Sequence, residues 1–110
     1  MEIALNSPFA QQQIKAQTAL MQVIDPELGI NIIDLGLVYA IDFSQAATIV
    51  VVMTFSTPHC PLGDAIKQGV THVLGIAFPD HLIDIQIVWE PEWNADMITD
   101  EGKTALGINN

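Results

Sequence analysis

The chemistry in this chain is concentrated around one cysteine, Cys60, within Ser56-Thr57-Pro58-His59-Cys60-Pro61. Pro61 suits the first position of a helix, which places Cys60 at the N-cap. There the helix dipole and free backbone N–H groups favour the thiolate. A thiolate is both a nucleophile and a soft metal ligand. The plainer role is that of a small buried apolar residue. His59 can polarise its neighbour or bind metal, although adjacent side chains seldom aim at one atom and a water-facing loop histidine is the simpler expectation. The hydroxyls of Ser56 and Thr57 can line a site or satisfy the loop backbone. Asp25 and Glu27 flank Pro26. Such a carboxylate pair can ligate a hard metal or do acid–base chemistry, but its commoner role is in a solvated turn. Trp89 and Trp93 bracket Pro91 and are either a partner surface or caps on the core. His72 and His81 fall at positions expected to be solvated.

These residues need a scaffold, and the patterning describes one. Ser7-Pro8 reads as an N-cap and first helical residue, and Ala16, Ala19, Leu20, Val23 and Ile24 recur at helical spacing up to Asp25-Pro26. Pro26 to Asp34 reads as a loop. Leu35, Leu37, Tyr39, Ile41 and Phe43 alternate as in a strand, and Thr48 to Phe55 is a second, Val- and Ile-rich strand after the turn Ser44 to Ala47. Leu62, Ile66, Val70, Val73 and Ala77 share a helical face that Pro79-Asp80 ends. Leu82 to Trp89 is the third strand. A last helix starts near Thr99, carries Asp100 and Glu101 in its first turn and stops at Gly107. The order α-β-β-α-β-α predicts an α+β two-layer sandwich, a small sheet with helices on one face. Its strand order is left open.

Composition narrows the function. The 110 residues suit a single domain, 1–110, and half are hydrophobic, enough for a core. Three lysines, no arginine and 13 acids give a net charge of −10. Nucleic acid and anionic membrane surfaces are therefore excluded as expected partners. The acidity keeps an apolar small domain soluble and can also steer a basic partner. One cysteine allows neither an intramolecular disulfide nor a four-cysteine metal site. The first ten residues contain no Lys or Arg and no long apolar run, so no secretory signal is expected and the expected location is cytoplasmic. No phosphate-binding glycine loop, zinc-protease motif or nucleophile elbow is present.

Four segments, taken in order, resemble one family: Asp25-Pro26-Glu27-Leu28-Gly29, Asp34-Leu35-Gly36-Leu37-Val38-Tyr39, Thr57-Pro58-His59-Cys60-Pro61-Leu62 and Trp89-Glu90-Pro91-Glu92-Trp93. The chain is similar, over about residues 14–108, to the PaaD-like, SufT-like domains of iron–sulfur cluster assembly. The resemblance implies a small α+β domain, often a homodimer, that helps mature or insert clusters in client proteins. Its implied site joins Asp25, Glu27, Leu28, Ser56, Thr57 and Cys60. Two positions depart from the family pattern: His59 replaces the usual Gly before the cysteine, and Ser56 replaces a common Thr. Cys60 is the expected contact for transient iron or an iron–sulfur cluster, with no cofactor tightly bound. One thiolate cannot hold a cluster alone, so a second copy or a client must supply the other ligands. The leading expectation is a maturation factor or adaptor acting on client iron–sulfur proteins or assembly machinery. The alternatives are an accessory subunit of a phenylacetyl-CoA-type ring oxygenase and, ranked last, a cysteine-dependent enzyme with Glu27 or His59 as base. No catalytic residue is assigned.

Overall fold

The computed structural model describes residues 6–57 and 63–107. Helix α1 spans Ala10–Leu20, strand β1 Val38–Asp42, strand β2 Thr48–Met53, helix α2 Gly63–Ala77, strand β3 Leu82–Ile87 and helix α3 Asp100–Leu106, with a 3-10 turn at Ala95–Met97. This is the expected α-β-β-α-β-α order. The sheet runs β1-β2-β3, with β1 antiparallel and β3 parallel to the central β2. Strand β2 is the natural centre because its Val-Val-Val run is β-branched. Ile49, Val51 and Met53 are fully buried on the face toward the helices. Helix α1 packs on β1 and α2 on β3, and the two helices touch each other. Gly69 makes that contact close, since a Cβ there would lie 3.2 Å from Val23 Cγ1. No helix among the described residues is long and apolar enough to cross a membrane.

Several local expectations are corrected. Helix α1 begins at Ala10, not at Ser7-Pro8. Ser7 instead closes a tight turn, its hydroxyl accepting from Phe9 N and its carbonyl from Ala10 N, both at 3.2 Å. The helix also ends before Ile24. Successive bonds from Gln22 to Ala19 and Val23 to Leu20 tighten its last turn, and Ile24 emerges 49% exposed, bridged to Asn31. In β1 the alternation breaks at a bulge between Val38 and Ala40. The extra residue shifts the phase, so Val38 is buried and Tyr39 is only half-buried. His81 is half-buried rather than fully solvated. Its ring lies edge-on to Phe43 and Phe78, at centroid distances of 6.0 and 5.6 Å, and its Nδ1 is buried without a hydrogen-bond partner among the described residues.

The last helix forms as its caps require. The Thr99 hydroxyl accepts from Gly102 N, and Gly107 takes the left-handed conformation at the C-cap. Helix α3 does not lie on the sheet. It docks on the loop before β1, where Asp34 is the clamp. Asp34 Oδ1 accepts from the Thr99 hydroxyl (3.0 Å), Oδ2 from Asn31 Nδ2 (2.8 Å), and the Asp34 carbonyl from Thr99 N (2.8 Å).

Candidate functional site

A continuous ladder of backbone hydrogen bonds crosses one end of the sheet. Ile32 N donates to the Val23 carbonyl (2.9 Å), Leu37 N to Ile32 (3.1 Å), Thr54 N to Leu37 (2.9 Å) and Val88 N to Met53 (2.9 Å). This ladder ties the Asp25 loop to the entry of β1, that entry to the exit of β2, and that exit to the exit of β3. The carboxyl ends of the parallel strands β2 and β3 therefore meet the two loops that carry most of the expected site. The carboxyl ends of parallel strands are where open α/β sheets bind ligands.

Asp25 builds its loop. It is 1% exposed, and its Oδ1 accepts from the backbone N–H groups of Glu27 (2.8 Å) and Leu28 (3.3 Å). Its own N–H donates to the Ile30 carbonyl and its carbonyl accepts from Gly29 N. The carboxylate so engaged orients the turn, while Glu27 and Leu28 face outward, Leu28 being 37% exposed. Ser56 is half-buried and Thr57 exposed where the chain leaves β2. His59 and Cys60, with the expected helix N-cap at Cys60, lie outside the described residues.

Both flanks of that loop are held by Phe55, a residue the motif reading passes over. A Cβ on Gly63 would lie 3.0 Å from Phe55 Cζ, so the ring packs directly against the start of α2. The same ring meets Trp89 at 6.2 Å between centroids and 53° between planes. Trp89 is thereby brought beside the exit of β2, and it remains 46% exposed. Trp93 has a different role: its indole N–H donates to the Leu35 carbonyl at 2.7 Å, and its ring packs on the core. The signal for Phe55 was available only as an aromatic at a strand exit. That for Asp34 was its place in an acidic-Leu-Gly motif.

The ladder sets the Asp25–Leu28 turn and the Ser56-Thr57 exit at the same end of the sheet, with Trp89 beside Phe55 at the exit of β3. It leaves His72 on the exposed face of α2 and His81 at the opposite end of β3. Beside the site, a shallow groove of about 410 Å³ is lined by Gly36, Val38, Tyr39, Pro91 and Met97. The Tyr39 hydroxyl donates to the Pro91 carbonyl at 2.8 Å, and desolvation pushes its pKa above the usual 10.0. Among the described residues, no group of three or more His, Cys, Asp or Glu side chains could hold a metal ion. Chemically, this end of the sheet offers an outward carboxylate, two hydroxyl residues and exposed apolar side chains.

A three-stranded α+β layer with its motif loops gathered at one end defines a class, and the comparisons agree with it. The sequence profile described as "Iron-sulfur cluster assembly protein" matches residues 12–82. The chain belongs to this family. A Porphyromonas gingivalis protein named Fe-S protein maturation auxiliary factor is 34% identical over 104 residues, 94% of this chain and 99% of that one. The Staphylococcus aureus Fe-S protein maturation auxiliary factor SufT is 40% identical over 87 residues, 79% of this chain and 99% of that one. A Bacillus anthracis structure titled as a domain of unknown function, DUF59, superposes with a TM-score of 0.82 at 36% identity, covering 88% of this chain and 92% of its own.

Proposed function

We propose that this chain is an Fe–S protein maturation factor that hands iron or a cluster to client proteins through its cysteine loop. The observation that carries the reading is the backbone ladder from Val23 to Val88. It holds at one end of the sheet the chain segments that carry the Asp25–Leu28 turn, the Ser56-Thr57 exit and Trp89. Support also comes from relatives named as maturation auxiliary factors at 34–40% identity. In this role Cys60 offers a soft thiolate to the cargo. Asp25 holds the neighbouring turn in shape, and Glu27 and Leu28 meet the client. The remaining cluster ligands come from the client or from a second copy, because one thiolate and one exposed carboxylate do not complete a tetrahedral iron site.

The test is cluster transfer under anaerobic conditions. Wild type and Cys60→Ser are incubated with ferrous iron and sulfide, then mixed with an apo-ferredoxin. Holo-ferredoxin formation is followed by absorption, and bound iron by Mössbauer spectroscopy. Faster client loading with wild type, lost in Cys60→Ser, is the expected outcome. Equal client loading by the two proteins overturns the role of the thiolate. The oxygenase-subunit reading has no supporting observation of its own.

A further inference from the structure

The two outer edges of the sheet are finished differently. At β1 the Gln13 side-chain amide takes up the Ile41 carbonyl at 2.9 Å, and the bulge at Tyr39 breaks the ladder. Both devices discourage further strand pairing. Strand β3 has neither. Leu82 N donates to the Ala47 carbonyl and Val88 N to Met53, across an unbroken parallel register from Thr48↔Leu82 to Met53↔Ile87. In a parallel ladder, alternate residues turn both backbone groups to one neighbour. Leu82, Asp84, Gln86 and Val88 therefore pair with β2, and the N–H and C=O groups of Ile83, Ile85 and Ile87 point outward. Among the described residues none of these three has a partner on that side.

The side chains along this edge also want a neighbour. Ile83, Ile85 and Ile87 lie on the helix-facing side and are only half-buried. On the open face Leu82 is 74% exposed, followed by exposed Asp84 and Gln86. Acids continue on either side: residues 79–92 hold Asp80, Asp84, Glu90 and Glu92, and the nearest lysines in sequence are Lys67 and Lys103.

We propose that the β3 edge is a strand-addition site for an extended, basic segment of a partner protein. The segment alternates aliphatic and basic residues. Its aliphatic side chains cover Ile83, Ile85 and Ile87, its lysines or arginines lie over Asp84 and the flanking acids, and its backbone completes the outward hydrogen bonds. A second copy of this chain is the disfavoured occupant. Antiparallel pairing of two β3 strands would set Asp84 close to its own copy, in molecules that each carry a net charge of −10. The proposal rests on the edge geometry and does not depend on cluster transfer.

The test uses the full chain, isotope-labelled for NMR, and acetylated Lys-Val repeat peptides of roughly eight residues, the length of an ordinary strand. The expected result is saturable binding, with shifts and slowed hydrogen exchange at the Ile83, Ile85 and Ile87 amides. A Glu-Val repeat, or the Lys-Val peptide with a central proline, should bind at least about tenfold more weakly. Asp84→Asn should weaken the Lys-Val peptide about threefold. The proposal fails if the proline peptide binds as well as its parent, or if the shifts lie away from β3. It fails equally if these amides are already protected in the free protein. Protection that grows with protein concentration, alongside dimers in sedimentation, would assign the edge to a second copy instead.

Discussion

At the scale of single residues, the site depends on carboxylates that point inward. Asp25 satisfies two backbone N–H groups that the turn would otherwise leave open. Truncating one side of such a buried arrangement costs about 1–3 kcal/mol. Asp25→Ala should therefore lower the unfolding free energy measured in urea by that amount and weaken client loading, while Asp25→Asn, which keeps an acceptor oxygen, should recover most of the stability. If Asp25→Asn proves as unstable as Asp25→Ala, it is the charge and not the acceptor that holds the turn. Asp34 works in the same way at longer range, joining Asn31 to the cap of α3. The sequence marks both aspartates by their motifs. It does not show which way they face, because a surface turn and a buried turn share the same local spelling.

At the scale of elements, the decisive positions are those where backbone meets backbone. Gly36 has φ +75 and packs so closely on the 3-10 turn that a Cβ would collide with the Met97 carbonyl. Gly36→Ala should cost roughly 1–3 kcal/mol from the strained conformation alone, with the collision adding to it. It should also speed hydrogen exchange at the first amides of α3, which docks there. Gly75 is the contrast: it lies within α2 with open space around its would-be Cβ. Gly75→Ala should stabilise the fold by about 0.5–1 kcal/mol. Thermal unfolding of the pair checks both signs, and a stabilised Gly36→Ala would refute the close approach to Met97. The caps of α3 were readable because Thr99, Gly102 and Gly107 act within a few residues of one another. The start of α1 was not, because Ser7-Pro8 serves a tight turn as well as it serves a helix.

For the molecule as a whole, the charge imbalance is a standing repulsion. The ion pair among the described residues is Lys67 with Asp64 at 3.5 Å, on exposed side chains of one helix, and such pairs contribute little. Screening should therefore help more than it harms. Raising salt to about 0.5 M, where charges interact over only a few Å, should lift the melting temperature by about 4 °C, equivalent to about 1 kcal/mol. A fall in melting temperature would show that attractive pairs outweigh the repulsion. By itself the sequence determined the element order, the α+β class, the bounds of α3, the acidic character and the family motifs. Each of these rests on composition, on the periods of helix and strand, or on caps that span a turn. Only the tertiary structure decided the β1-β2-β3 order, the phase slip at Tyr39, the half-buried setting of His81, and the edge of β3 that no described residue pairs. It also decided that Trp93 is a tie and Trp89 a surface. Those outcomes depend on partners far apart in the chain, such as Trp93 with Leu35 and Thr99 with Asp34. A local pattern can state that a residue needs a partner, but the packed fold selects which one it meets.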